Sequence, residues 1–510
     1  MAHLGSRRTR AMALPVGLAL TVSLGFLPTG AATASPVHGR PAAAATDGPK
    51  LSYVVNTRGG QGTVKQVRKA VEQAGGTVVI AYDRIGVLVV HSQNPDFAQS
   101  IRRVKGVDSA GATRTNPIVP QATTDIGLPQ PLTAQQERSA AARATADQDP
   151  MEPLQWDMPA IKADKAHQKS LGSRKVTVAV IDTGVDDTHP DLAANFDRGA
   201  SANCVSGAPD TTLGSWRPNS GESPHGTHVA GTIAAAKNGI GVTGVAPGVK
   251  VAGIKVANPD GFFYTESVVC GFVWAADHGV DVTNNSYYTD PWLFNCKDDP
   301  DQGALVEAVA RATRYAEGKG TVNVAAAGNS AQDLAARTIT DSSSPNDTNP
   351  VTRTIDPKKC FDIPTMLPGV VTVSATGAKG LKASYSNYGN GVIDVAAPGG
   401  DSTVYQTPAP PATNGRILST LPGGEYGYMA GTSMASPHVA GVVALIKSTH
   451  PHASAAAVKA LLTAEADATA CGAPYDINGD GTIDAVCEGG KNRNGFYGAG
   501  VVDALDAVRR

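Results

Sequence analysis

The chain has 510 residues, which is too long for one ordinary hydrophobic core and predicts a small folded unit ahead of a large one. Apolar residues make up 41% of the chain and charged residues 17%, a balance typical of globular proteins. The formal net charge of −2, without a long basic tract, argues against nucleic acid as a partner.

Residues 1–34 have the features of a secretory signal peptide. Three arginines within the first ten residues precede an apolar run at 11–27, and the small residues at 32–34 fit a cleavage site. An uncleaved membrane anchor is the alternative, but the run is near the short limit for crossing about 30 Å of hydrocarbon. We therefore expect a secreted, extracellular product without membrane association after signal removal, and a short linker at 35–50.

All six cysteines lie beyond the signal peptide, and their even number suits up to three disulfides in an oxidising compartment. They are Cys204, Cys270, Cys296, Cys360, Cys471 and Cys487. Cys471 and Cys487 are close enough in sequence to predict a local disulfide, whereas the sequence leaves the pairing of the other four open.

Residues 51–117 have the pattern of a small α+β domain. Apolar strands at 52–55, 77–81 and 85–91 alternate with two helical patterns, and a last strand follows the second helix. This order is βαββαβ, the ferredoxin-like arrangement, which by itself assigns no function.

The next interval, 118–150, is rich in Ala, Thr, Gln and Pro and lacks aliphatic periodicity, so we expect a solvated, cleavable linker. From residue 151 to 510, short apolar strands alternate with helical patterns, which predicts βαβ crossovers and a parallel sheet covered on both faces. The strands are predicted at 176–181, 249–256, 280–286, 322–326 and 370–375, and the helices from 225, around 268–278 and at 304–317.

Two of three candidate chemical motifs centre on a carboxylate and an imidazole. Asp182 ends a buried-looking strand and precedes a turn; taken alone, it is more typical of a turn or cap residue than of a catalyst. His225 precedes a helix of small residues that suit close packing against a sheet. Because His228 follows three residues later, a metal site is an alternative, but the Glu and the further ligand spacing of zinc motifs are missing.

The third motif, residues 431–441, is a tight turn that enters an apolar helix. Ser433 falls at the start of that helix, where free N–H groups and the helix dipole favour developing negative charge. Pro437 is tolerated because it is near the helix start. A simple N-cap serine is the alternative, but it leaves the small, turn-competent neighbours of Ser433 unexplained.

The three motifs together indicate nucleophilic catalysis. A serine hydroxyl is a poor nucleophile at neutral pH and needs a base, which in turn needs a partner that fixes its tautomer. Ser433, His225 and Asp182 supply these roles. Acyl transfer also needs donors for the oxyanion, and we assign this part to the Asn329 amide, in a turn after a strand, together with the Ser433 N–H.

These motifs, in the order Asp, His and Ser, resemble those of the subtilisin-like (subtilase) serine proteases. The resemblance covers residues 155–510, and residues 51–112 resemble the inhibitor-type propeptide of that family. It implies a doubly wound, mostly parallel sheet with helices on both faces, a monomer that cleaves protein or peptide substrates, and an intramolecular inhibitor. It implies no cofactor for catalysis and a structural role for calcium.

The resemblance also assigns residues to substrate binding. Ser286, Tyr287 and Tyr288 stand where the family has Ser-Leu-Gly in the strand that pairs with an extended substrate. Gly328, next to Asn329, belongs to the same predicted set. Tyr288 replaces a customary glycine beside the first specificity pocket, so we transfer no preference for a substrate side chain.

A first calcium site is predicted from Asp191 and the loop that follows the helix of His225. Asp191 and Asn238, with nearby backbone carbonyls, are similar to the tight calcium site of the family, and oxygen ligands suit this ion. An ordinary loop is the alternative.

A second calcium site is predicted inside the insert at 471–488, which matches the start of an EF-hand-like loop. The predicted ligands are Asp476, Asn478, Asp480, Thr482 and Asp484. The usual glutamate at position twelve is replaced by Cys487, so we expect a modest structural site; a plain surface turn is the alternative.

The sequence therefore predicts a secreted serine endopeptidase made as a zymogen. Two alternatives stay open: a catalytically silent binding protein on the same scaffold, and a protease dedicated to one processing event. The complete set of Asp182, His225, Ser433 and Asn329 argues against the first alternative. Tyr288 and the long insert at 331–364 are the features that favour the second.

Overall fold

The computed structural model describes residues 48–115, 128–402, 406–472, 475–476 and 480–509. The predicted signal peptide and Asn478 lie outside these residues.

The N-terminal domain has the predicted βαββαβ order. Its elements are β1 (Leu51–Thr57), α1 (Gln61–Gln73), β2 (Gly76–Tyr82), β3 (Val87–Ser92), α2 (Phe97–Arg102) and β4 (Val107–Ala112). The four strands form an antiparallel sheet in the order β2-β3-β1-β4. Tyr53, Val55, Leu88, Phe97 and Ile101 are buried in its core, which confirms the ferredoxin-like prediction.

The remaining helices of four residues or more and the remaining strands belong to the larger part of the chain. In chain order they are β5 (Gln130–Pro131), α3 (Ala134–Ala141), α4 (Asp157–Ala160), α5 (Ala163–His167), β6 (Thr177–Asp182), α6 (Pro190–Ala193), β7 (Ala202–Asn203), α7 (His225–Ala234), β8 (Lys250–Lys255), α8 (Thr265–Asp277), β9 (Val282–Asn285), β10 (Asn295–Cys296), α9 (Pro300–Gly318), β11 (Val322–Ala326), β12 (Ile339–Asp341), β13 (Arg353–Ile355), β14 (Cys360–Phe361), β15 (Val371–Thr376), β16 (Val395–Pro398), β17 (Ile417–Leu421), β18 (Glu425–Met429), α10 (Thr432–Thr449), α11 (Ala455–Glu465), β19 (Gly489–Gly490) and β20 (Arg493–Asn494).

The central sheet has seven parallel strands in the order β16-β15-β11-β9-β6-β8-β7. Successive residues of β6 serve both faces: Val178 and Val180 pack with α7 and α10, whereas Ala179 and Ile181 pack with α8 and α9. A strand that is buried on both faces has a continuous run of apolar residues, and the sequence of β6 has such a run. The doubly wound α/β prediction is confirmed.

The strand order changes direction at β6. The chain continues from β6 to β8 on one side of it and then crosses to β9 on the other side. Ligands of open α/β sheets bind at such a switch point, beyond the carboxyl ends of the strands. Asp182 is the last residue of β6, Ser286 follows β9, and Asn329 lies three residues after β11.

The N-terminal domain packs against the two helices on one face of the central sheet. Val54 and Val87 are buried in the same cluster as the apolar residues of α8 and α9. The Asn56 side chain donates to the Ala304 carbonyl at 2.9 Å, and Arg311 donates to the Thr57 carbonyl at 2.7 Å.

The interval predicted as a solvated linker contains more structure than its composition indicates. Its described part, from residue 128, forms β5 and α3, and β5 pairs with β18. Leu132 and Ala140 are buried against Leu418 and Tyr428, so a few apolar residues dock an otherwise polar segment.

Three disulfides join Cys204 to Cys270, Cys296 to Cys360, and Cys471 to Cys487. The last pair confirms the local disulfide predicted from sequence. None of the described helices combines the length and the hydropathy needed to span a bilayer.

Candidate active site

Asp182 and His225 form a buried hydrogen-bonded pair. His225 Nδ1 lies 2.7 Å from Asp182 Oδ1, which also accepts from the Thr183 backbone N–H at 2.7 Å, and neither side chain of the pair is exposed. Because a carboxylate accepts at Nδ1, the proton of the neutral imidazole sits on that nitrogen, and Nε2 carries the lone pair that can act as a base.

A glycine allows this pair to form. Gly226 follows His225 in the first turn of α7, and a Cβ atom there would collide with the Gly184 carbonyl oxygen and crowd the Cβ of Asp182. The Gly226 N–H donates to Thr183 Oγ1 at 2.9 Å. The small residue after the histidine therefore lets the helix start approach the end of β6.

His228 has a different environment from His225. Its Nε2 lies 3.1 Å from the backbone carbonyls of both Ile417 and Gly427, in the β17–β18 hairpin. The two imidazoles thus bind separate partners, which favours the catalytic reading of His225 over a shared metal ion.

Ser433 lies in the first turn of α10, as the sequence predicts, and is bound to the residue that follows β9. Its Oγ donates to the Ser286 carbonyl at 3.2 Å, and the Ser286 hydroxyl donates to the Ser433 carbonyl at 3.0 Å. These reciprocal bonds fix the serine at the carboxyl end of the sheet, on the same edge as Asp182.

Asn329 is oriented by the residue before the serine. Its side-chain oxygen accepts from Thr432 N at 2.9 Å and from Thr432 Oγ1 at 2.7 Å, so its amide nitrogen is the end that can serve a ligand. Asn329 Nδ2 and Ser433 N each lie 3.5 Å from the point where Gly431 would carry a Cβ atom. Two N–H donors therefore border one small space, as stabilisation of an oxyanion requires.

Asn387, which sequence reasoning did not identify, holds the turn of Asn329. Its buried side-chain oxygen accepts from the backbone N–H groups of Ser330 at 3.1 Å and Gln332 at 2.9 Å. Its amide nitrogen donates to the Ala327 carbonyl at 2.8 Å. One side chain thus binds the turn on both sides of Asn329.

The predicted substrate-binding residues have distinct roles in the structure. The Tyr287 ring is buried and stacks on Phe263 with centroids 4.6 Å apart, so only its backbone can meet a ligand. The Tyr288 hydroxyl accepts from Asn346 at 2.9 Å. Gly328 has a φ of 96°, a left-handed conformation that favours glycine.

The first predicted calcium site does not fit the ion in this arrangement. Asp191 accepts from Val242 N at 3.0 Å, from Tyr426 Oη at 2.9 Å and from Asn238 Nδ2 at 3.2 Å. The Asn238 side-chain oxygen accepts from Ile240 N at 3.1 Å instead of facing outward. The two predicted ligands therefore bind each other and their own loop.

The second predicted site fits better. Asp476 accepts from the N–H groups of Asp480 at 3.2 Å and Gly481 at 2.8 Å, and Asp480 accepts from Thr482 N at 2.7 Å. Asp476, Asp480 and Asp484 all belong to the stretch closed by the Cys471–Cys487 disulfide, and their hard oxygen donors suit calcium.

The fold and this site define a serine endopeptidase. A family model described as the subtilase family matches residues 173–500, and the chain belongs to that family. Subtilisin BL of Lederbergia lenta is 34% identical over 296 residues, which are 58% of this chain and 85% of that protein. Subtilisin E of Bacillus subtilis (strain 168) is 33% identical over 350 residues, 69% of this chain and 73% of the relative.

Two relatives match more of the chain. Fervidolysin of Fervidobacterium pennivorans is 29% identical over 439 residues, which are 82% of this chain and 54% of that protein. Its crystal structure is described as that of a keratinolytic enzyme related to subtilisin. It aligns with a TM-score of 0.60 at 25% identity, over 91% of this chain and 61% of that one. The epidermin leader peptide processing serine protease of Staphylococcus aureus aligns over 90% of this chain and 98% of that one, with a TM-score of 0.62 and 23% identity, which supports the fold.

Proposed function

We propose that the chain is a secreted serine endopeptidase, made as an autoinhibited zymogen, that cleaves peptide bonds through an acyl-enzyme on Ser433. The observation that carries the proposal is the buried Asp182–His225 pair at the end of β6, on the sheet edge where α10 presents Ser433.

In the first half of the reaction, Ser433 Oγ attacks the peptide carbonyl carbon while His225 Nε2 takes the hydroxyl proton. Asp182 stabilises the imidazolium that forms. Asn329 Nδ2 and the Ser433 N–H donate to the oxygen of the tetrahedral intermediate. The C–N bond then breaks as His225 returns the proton to the leaving amine.

In the second half, a water molecule gives its proton to His225 and attacks the acyl carbon. The same two donors stabilise the second oxyanion. The Ser433 ester bond breaks, the oxygen regains a proton from His225, and the carboxylic acid product leaves with the enzyme restored.

The N-terminal domain supplies the basis for autoinhibition. The segment that leaves β4 contacts the peptidase domain through Arg114, which forms an ion pair with Glu266 and lies 4.0 Å above the Tyr264 ring. Thr115 donates through its backbone N–H to Asp347 at 2.7 Å. Although burial opposes it, the Arg114 guanidinium holds the pKa of Glu266 below its ordinary value.

These contacts direct the exit segment toward the predicted substrate strand. Asp347 follows Asn346, which donates to Tyr288. A chain held there competes with substrate until it is cut within 118–150. The three disulfides favour an extracellular destination, because such bonds persist in oxidising compartments. Calcium in the loop of Asp476 is proposed as a structural ion only.

The test compares the full chain with its Ser433→Ala variant, both treated with a fluorophosphonate probe and measured by mass. We expect labelling of a shortened wild-type species and an unlabelled, full-length variant. A folded, shortened wild type without labelling would support the silent-scaffold alternative. Normal trimming of Ser433→Ala would assign maturation to another protease.

A protease with restricted specificity is the second candidate. The observation that favours it is Tyr288, whose hydroxyl is fixed by Asn346, so that a rigid phenol stands where a glycine is customary. Digestion of casein, compared with cleavage of a peptide library, separates a broad from a restricted enzyme.

A further inference from the structure

Asp362 lies on a segment fixed between two parts of the substrate site. The Thr289 N–H and its hydroxyl both donate to the Ile363 carbonyl at 2.9 Å, next to Tyr288. On the other side, the Thr365 hydroxyl donates to the Ala326 carbonyl at 2.8 Å, at the start of the turn that carries Asn329. The segment therefore bridges the residues that follow β9 and the turn of Asn329.

The Asp362 carboxylate is buried, and it lies close to the turn that carries Asn329. Its exposed fraction is 2%, and Oδ2 lies 3.7 Å from the point where Gly328 would carry a Cβ atom. Burial, and then the nearby carboxylates of Asp290 and Asp362, raise the pKa of Tyr288. Asp362 thus lies beside Gly328, a predicted substrate-binding residue, and close enough to influence Tyr288, which is predicted beside the first specificity pocket.

Within the described part of the chain, Asp362 Oδ1 is buried without a hydrogen-bond partner. Buried carboxylates are normally paired or hydrogen-bonded, because an isolated charge is costly to bury. Other buried carboxylates of this protein follow that rule. Their partners are His225 for Asp182, Arg114 for Glu266, Arg217 for Asp187, Arg353 for Asp341, and Phe263 N with Asn346 for Asp290.

Carboxylates of the peptidase domain already bind a cationic peptide segment. Glu266, on α8, binds the Arg114 guanidinium of the exit segment, and Asp347 binds Thr115 of the same segment. The exit segment therefore uses an arginine to bind a buried carboxylate of the peptidase domain.

We propose that Asp362 makes the enzyme selective for lysine or arginine immediately before the cleaved bond. The cationic side chain enters between Tyr288 and Gly328 and supplies the donor that Asp362 Oδ1 lacks. The inference rests on the proposed function, since it concerns the substrate of the site built around Ser433. Burial raises the pKa of Asp362 well above its ordinary value, and an arriving cation favours the charged form again.

The experiment measures kcat/KM for fluorogenic peptides that differ only in the residue before the cleaved bond: Arg, Lys, Gln, Leu or Phe. We expect the mature wild type to cleave the Arg or Lys peptide at least about 10-fold faster than the Gln peptide, because a buried partner left unpaired discriminates strongly. Asp362→Asn should abolish this ratio. Asp210→Asn, which removes an equal charge from an exposed loop, should leave it intact.

Fluorophosphonate labelling is measured on the same samples and distinguishes failure of this inference from failure of the proposed function. Labelled wild type that cleaves the Gln, Leu or Phe peptide as fast as the Arg peptide overturns the inference and leaves the proposed function standing. Wild type that is neither labelled nor active overturns both. If Asp362→Asn does not fold, the wild type is inhibited with a peptide arginal and with the matched leucinal, and the two inhibition constants are compared. Stronger inhibition by the arginal supports the inference, and equal inhibition overturns it.

Discussion

At the scale of single residues, the absence of a side chain at Gly431 is as important as the groups around it. Asn329 Nδ2 and Ser433 N border the space where its Cβ would lie, each at 3.5 Å. The φ of 160° is extended backbone that any residue adopts, so an alanine fits the chain without strain. A methyl group there would occupy the space of the substrate oxyanion.

We therefore predict that Gly431→Ala keeps its melting temperature and loses about 10²–10³-fold in kcat, the loss typical of removing an oxyanion donor. Gly472→Ala is the matched control, since nothing lies within 4 Å of its added methyl group. Kinetics on a fluorogenic peptide and a thermal melt check both parts. A fully active Gly431→Ala enzyme would place the oxyanion elsewhere.

Asn387 influences the reaction only through its contacts with the turn of Asn329. Its side chain binds the backbone of Ala327, Ser330 and Gln332 and so positions Asn329 between them. It touches no reacting atom and is a positioning residue.

The Asn387→Ala variant should lower kcat about 10-fold or more with little change in KM, because the loss falls on the transition state. Rates are normalised to the fraction labelled by fluorophosphonate, which removes the effect of unfolded enzyme. In an Asn329→Ala background the same substitution should have almost no further effect on kcat. Additive losses in the double variant would show that Asn387 stabilises the fold only.

At the scale of elements, the sequence was sufficient to predict the secondary structure where an element is regular. β6, β8, β9, β11 and β15 were predicted within two residues at each end because their apolar runs are buried on both faces. The three proposed catalytic residues could be predicted because each stands at a strand or helix end within a local motif.

What the sequence missed depends on tertiary packing. β7 has two residues and carries no pattern of its own. Asn387 and Asp362 lie 58 and 33 residues beyond Asn329 in the chain. Only the packing of their segments against the Asn329 turn gives these residues a role, and no spacing in the local sequence predicts that role. The order of the 128–150 interval likewise depends on partners in the β17–β18 hairpin.

The two loops predicted to bind calcium differ in their donors, which gives a test at this scale. Because Asp191 and Asn238 bind each other, the stabilising effect of calcium should come from the loop of Asp476 and Asp480. A chelator should lower the melting temperature of the mature wild-type enzyme by several degrees, since an ion that binds only the folded state stabilises it.

Asp480→Ala should melt at the lower temperature with or without chelator, whereas Asp191→Asn should keep its response to chelator. Thermal melts at fixed ionic strength measure this. An unchanged wild-type melting temperature after chelation would contradict calcium stabilisation altogether.

At the scale of the whole molecule, residues 44–510 form one compact unit, and the N-terminal domain contacts the peptidase at two separate places. Its sheet packs on α8 and α9, where Arg102 and the Ala112 N–H bind Asp301 near the start of α9. The exit segment then binds Glu266 and Asp347, closer to the predicted substrate strand. In the proposed zymogen, the first contact holds the domain and the second blocks the cleft.

This division predicts what a single substitution in the exit segment does. Arg114→Ala removes the partner of a carboxylate that is 2% exposed, and such a loss is costly because the remaining charge is buried and unpaired. The sheet of the domain and its packing on α9 are untouched. The variant chain should therefore fold and mature, but the cut N-terminal domain should leave the cleft sooner.

The measurement follows peptidase activity and chain mass together after secretion. In the wild type, activity should lag behind the cut within 118–150, because the released domain still covers the cleft. In Arg114→Ala the lag should shorten several-fold. Arg58→Ala is the control: its partner Asp108 lies in the same domain, and its side chain is 76% exposed, so its loss should be nearly neutral. An equal lag in all three chains would mean that the exit segment does not inhibit.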